Sequence, residues 1–164
     1  MTQELNIGKL GAIAPFQAKE GTITISEGST ASGVMKVPVL SAGLKKGDNV
    51  KLADSMLVEK AGNSDTAIIG VVANNPKWPD VEPTSDYTQA QAISAGFLRE
   101  VGIETIFKKI VTLDAKPSEG ITAGKYLVLK NKVELSSSSG STETKFMALS
   151  DQDSTSNRVV VGFL

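Results

Sequence analysis

In residues 21–27 (GTITISE) the β-branched Thr and Ile alternate strictly. Strand side chains project to opposite faces with period two, so this stretch predicts a half-buried strand. Gly28 and Gly33 bound a polar turn, and residues 34–39 (VMKVPV) predict a second strand. Pro38 has no N–H to donate to a ladder, which places that strand at an edge or an end. Residues 44–52 (LKKGDNVKL) open on a Gly47-Asp48 turn and then alternate, and 53–55 turn the chain into 56–59 (MLVE). Residues 67–73 (AIIGVVA) form a short apolar run bounded by turn residues, the pattern of a strand buried on both faces. Residues 74–86 (NNPKWPDVEPTSD) carry three prolines and no periodicity, and read as a surface loop.

Two stretches are less clear. Between 85 and 95, Ser85 is a candidate helix cap and YTQAQAI contains helix formers, yet QAQAI also alternates and Gly96 interrupts any longer helix. Residues 97–113 are dense in β-branched side chains and predict one long strand or two shorter ones, with Gly102 a candidate bulge. The first nineteen residues differ from all of this. Leu5, Ile7, Leu10, Ile13 and Phe16 are separated by Gly8, Gly11 and Pro15, which suits neither a helix nor a central strand. Two readings stand: an extended arm over 1–19 that lays those five side chains on a partner, or a frayed terminus.

The second half repeats the first. Residues 121–129 (ITAGKYLVL) align with 44–52 without a gap, matching Leu44 with Ile121, Gly47 with Gly124, Val50 with Leu127 and Leu52 with Leu129. A short turn and a second apolar strand follow each (56–58 and 133–135). A polar insert then leads to a closing strand with an internal glycine, 69–72 (IGVV) and 161–164 (VGFL). The expected fold is mainly β: a small β-barrel or β-sandwich with an extended N-terminal arm and at most one or two short helices. Its expected organisation is the arm, 1–19, and a single β-rich domain, 20–164, with a weak internal repeat (44–72 and 121–164). Any two hairpins look alike at this level, so the repeat alone supports only small strands in an all-β chain.

Composition narrows the chemistry. The chain has 164 residues, about one domain by length. It contains no cysteine and no histidine, which removes disulfides, zinc–thiolate sites and both Ser–His–Asp and Cys–His catalysis. Lys+Arg at 17 against Asp+Glu at 18 offers no bulk attraction to nucleic acid or an anionic membrane, and neither is expected as a partner. The N-terminus does not read as a secretion signal and no apolar segment is long enough to span a bilayer, so synthesis in a cytoplasm is expected.

Asp151 and Asp153 superficially resemble a calcium loop, but the central glycine and terminal glutamate of such a loop are missing. No glycine spacing matches a phosphate-binding fingerprint. No cofactor, metal or catalytic residue is therefore assigned. The single tryptophan, Trp78, reads either as a loop cover or as an interface anchor. Candidate partner-binding residues are Leu5, Ile7, Leu10, Ile13, Phe16 and Trp78.

The order Gly-Asp turn, hairpin, polar turn, Ile-Gly-Val strand resembles the capsid decoration (cement) proteins of tailed bacteriophages. The resembling residues are Gly47, Asp48, Val50, Leu52, Ile69, Gly70 and Val71, with a weaker echo at Gly124, Leu127, Leu129 and Gly162. The loop at 74–86 and the long polar stretch after Leu135 depart from the simplest form of that pattern. The resemblance implies a non-enzymatic virion protein made in the host cytoplasm. It would bind the major capsid protein on the capsid exterior, commonly as a homotrimer, and stabilise the shell. The other readings are a phage tail or baseplate β module, another non-enzymatic interaction domain, and an enzyme built on Lys, Tyr or carboxylates.

Overall fold

In the computed structural model, which describes residues 10–31, 33–136 and 145–164, the chain is mainly β. The strands in chain order are β1 (Ile13–Ala18), β2 (Ile23–Thr30), β3 (Gly33–Leu40), β4 (Asn49–Asp54), β5 (Leu57–Lys60) and β6 (Ile68–Val72). A short helix α1 (Gln89–Ala95) precedes β7 (Arg99–Thr105), β8 (Lys109–Asp114), β9 (Tyr126–Leu129), β10 (Val133–Leu135), β11 (Phe146–Ala148) and β12 (Arg158–Phe163). The helix is capped by Thr88 rather than Ser85: its hydroxyl accepts the Gln91 N–H while the Gln91 side chain accepts the Thr88 N–H.

Five strands close a barrel in the order β1-β5-β4-β6-β7. This corrects the expected arm over 1–19 at residues 13–18, which are an integral barrel strand paired on both sides; residues 1–9 of that expectation lie outside the described residues. Alternation explains it: Ala14, Phe16 and Ala18 point into the core, whereas Ile13, Pro15 and Gln17 point out. Pro15 is tolerated for a specific reason. The N–H groups of Gln17 and Lys19 reach the carbonyls of Met56 and Val58, at 3.0 and 2.8 Å. Pro15 would aim the same way, but it lies beyond the start of β5, so no ladder bond is lost. Gly102 is no bulge either, since the β1/β7 register runs through the Pro15–Gly102 pair without a shift.

The remaining large sheet has the order β10-β9-β11-β12-β8. Its two edges meet at a parallel bridge between Ala115 and Val133, so it curls into a second barrel joined at one end. Matching β8, β10, β9, β11 and β12 to β1, β5, β4, β6 and β7 reproduces the ring order and every strand direction of the first barrel.

The agreement extends to single bonds. Lys19 N–H donates to Val58 O at 2.8 Å, and Lys116 N–H to Val133 O at 2.9 Å. Gly47 N–H donates to Val72 O and Gly124 N–H to Ala148 O, and these two glycines share a left-handed backbone, φ 94° and 91°. Lys19 pairs with Glu59 as Lys116 pairs with Glu134. The single unit expected over 20–164 is therefore a tandem of two barrels, and residues 13–18, outside that range, belong to the first.

This register corrects one alignment. The structural counterpart of β6 is β11, whose Ala148 takes the place of Val72. The 161–164 segment lies in and just after β12, which answers to β7. Glycine-containing apolar strands look alike in sequence; their hydrogen-bonded neighbours distinguish them. The first core gathers Phe16, Val50, Val58, Ile69, Val101, Ile103 and Phe107 with Leu149 of the second barrel, and the second gathers Ala115, Ile121, Leu127, Val133, Val159 and Val161.

Candidate docking surfaces on the first barrel

The second barrel is an internal control for the first. Between β8 and β9 the chain passes directly through Ala115–Ile121, whereas the first barrel inserts the β2–β3 hairpin between Glu20 and Leu44. Between β11 and β12 the second barrel needs only a short turn, whereas the first inserts residues 77–98, including Trp78 and α1. Closing a barrel requires neither insertion, and both lie on the same unit.

The hairpin pairs two eight-residue strands as a two-stranded sheet of their own. It is tied to the rest at its base, where Ile23 exchanges backbone bonds with Tyr87 and Asp86 accepts the Ile25 N–H at 2.7 Å. Pairing register decides its faces. Ile23, Ile25, Pro38 and Leu40 share one side; Thr24, Ser26, Met35, Val37 and Val39 share the other. On that second side Met35, Val37 and Val39 are 52%, 44% and 50% exposed and form an apolar stripe in solvent. Sequence reading did not single these residues out. The alternation of 21–27 identified one apolar face, but only the pairing shows that the partner strand makes the other face apolar too.

Beside the hairpin base lies an ionic knot. Glu20, 5% exposed, takes Arg99 in a two-pronged pair, with Arg99 Nε to Oε1 at 2.8 Å and Nη2 to Oε2. Glu20 Oε2 also accepts the Leu44 N–H at 2.8 Å, and Arg99 donates to the carbonyls of Leu44 and Pro76 at 3.2 and 3.4 Å. The guanidinium carbon lies 5.7 Å from the centre of the Trp78 ring, so the knot also fixes the loop carrying Trp78.

Trp78 walls an open groove of about 860 Å³ over the outer face of β1 and β7, with Ile13 and Pro15 on one side, Gly102 in the floor and Asn74, Asn75 and Glu100 around it. Two of the six candidate residues, Ile13 and Trp78, thus meet at one surface. Leu10 is half-buried beside the strand. Phe16 is withdrawn as a partner contact: at 2% exposure it is core, because it falls on the inward phase of β1. Leu5 and Ile7 lie outside the described residues.

The acidic pair at 151 and 153 is engaged locally. Asp151 accepts the Ala123 N–H at 2.9 Å, and Asp153 accepts those of Thr155 and Ser156, both at 2.8 Å. The Ser156 and Thr155 amides hold the Asp153 carboxyl below its usual 3.8. Among the described residues no group of three or more His, Cys, Asp or Glu is arranged to hold a metal, and no helix is long and apolar enough to cross a membrane. Comparison with family models, with curated proteins and with solved structures finds no match to this chain.

Proposed function

We propose that this chain is a non-enzymatic virion protein that binds the outside of an assembled tailed-phage capsid and stabilises the shell. The observation that carries the reading is the β2–β3 hairpin, an insertion that barrel closure does not need, with Met35, Val37 and Val39 in solvent. A projecting two-stranded ribbon with one apolar face suits insertion between proteins, where apolar burial supplies affinity and the alternate side chains supply specificity. Many such contacts on one shell act together, so each can be weak.

The test is co-sedimentation with purified mature shells. Wild-type protein is expected to pellet with shells. A Met35→Asp/Val37→Asp variant, altered only at exposed positions, is expected to stay in the supernatant. Equal pelleting of that variant removes the hairpin from the contact. Absence of binding to shells, together with binding to purified tails, replaces the reading with the tail or baseplate one.

A further inference from the structure

The two barrels are joined by a contact that the first barrel offers a second time. In the chain, the β4–β5 turn of barrel one seats on barrel two: Met56 N–H donates to Leu149 O and Asp151 N–H donates to Ser55 Oγ, both at 2.9 Å. Ile110, Met147 and Val160 of barrel two pack against the first core beside it. The structural equivalents of these seat residues on barrel one follow from the shared ladder. Lys46 N–H donates to Asn75 Oδ1 as Ala123 N–H donates to Asp151 Oδ1, so Asn75 answers to Asp151. Ala73 N–H donates to Gly102 O as Leu149 N–H donates to Val160 O, so Ala73 answers to Leu149 and Gly102 to Val160. Ile13 answers to Ile110 through the matched β1 and β8.

Ile13, Asn75 and Gly102 all line the Trp78 groove, and Ile13 is 65% exposed. The groove is the counterpart of the inter-barrel seat. Each chain therefore has two seats and two turns between matched strands, and uses one of each internally; the β9–β10 turn, 130–132, is two residues shorter than its counterpart, 53–57. One seat remains on barrel one and one turn, β9–β10 at Lys130–Lys132, on barrel two.

We infer that the groove receives the β9–β10 turn of a second copy of this chain, which continues the barrel-on-barrel stacking from one protomer to the next. The occupant brings Lys132 of the turn towards Glu100 in the groove; neither makes an ion pair among the described residues, and nor does Lys77, which lines the same groove. A seat and a turn on opposite barrels give a head-to-tail contact, which closes into a ring or extends as a filament.

Purified full-length protein alone tests this, so its outcome is separate from shell binding. Sedimentation velocity across a concentration series is expected to show assemblies larger than a monomer. Because Trp78 is the only tryptophan, its emission is expected to shift to the blue as they form. Ile13→Asp and Lys132→Glu, both at exposed positions, are expected to weaken association about tenfold or more with unchanged circular dichroism. Glu100→Lys combined with Lys132→Glu is expected to recover it. A monomer at every concentration overturns the inference. So does an assembly indifferent to Ile13→Asp and Lys132→Glu, and a charge-swapped pair no tighter than the single variants overturns the assigned turn.

Discussion

Arg99 and Asn157 occupy the same position in the two barrels and solve the same problem with different chemistry. Each stands near a chain crossing whose backbone must be satisfied, at Leu44 in one barrel and Ile121 in the other. In the first, Glu20 accepts the Leu44 N–H and Arg99 donates to its carbonyl. In the second, Gln152 serves Ile121 with its side-chain oxygen and its backbone N–H, and its amide nitrogen donates to Asn157 Oδ1 at 3.1 Å. A neutral amide pair thus suffices where no insertion has to be held. The charged version also grips Pro76 and Trp78, at the edge of both docking surfaces.

Removing one partner of the buried pair should be costly, because the other charge is left without compensation. Arg99→Met is expected to lower stability by about 3–5 kcal/mol. Glu20→Gln with Arg99→Met is expected to regain a large share, since no buried charge then remains. Urea denaturation of the wild type and the two variants checks this, and a double variant as unstable as Arg99→Met contradicts it.

Phe16 separates a core strand from an arm. A barrel strand predicts that Phe16→Ala costs about 3–5 kcal/mol of folding stability. An arm residue would leave the denaturation midpoint unchanged and act only on binding.

The paired glycines Gly47 and Gly124 provide a test of the duplication. An added Cβ would meet nothing within 4 Å at either site, so only the backbone angle opposes a side chain. Gly47→Ala and Gly124→Ala are each expected to cost about 1–2 kcal/mol. Clearly unequal values would mean that the two turns are under different constraint.

Acid sensitivity follows from two carboxylates held below the usual 3.8. Asp65 is lowered first by the Gly62 N–H and then by Lys51, and Asp153 by the Ser156 and Thr155 amides. Groups whose folded value is depressed contribute stability that is complete above the unfolded value and lost as pH falls through the folded one. The denaturation midpoint is therefore expected to hold from neutral pH to about pH 5 and to fall below about pH 4. Asp153→Asn is expected to flatten part of that acid slope, and an unchanged slope in that variant would remove Asp153 as a source.

The sequence by itself determined the class of structure. Alternation at 21–27 and 44–52, the apolar run at 67–73 and the Gly47/Gly124 match established strands, turns and a repeated unit, because period-two patterning and turn glycines are local properties. The missing cysteine and histidine removed whole families of chemistry for the same reason. Tertiary structure alone decided which strand lies beside which. Nothing local shows that Ile13–Ala18 is paired on both sides, that β12 answers to β7, or that the hairpin has a second apolar face. Those facts rest on hydrogen bonds between residues far apart in the chain, as with Arg99 and Glu20. A strand's own sequence records which side chains face inward, but not the neighbour its backbone will meet.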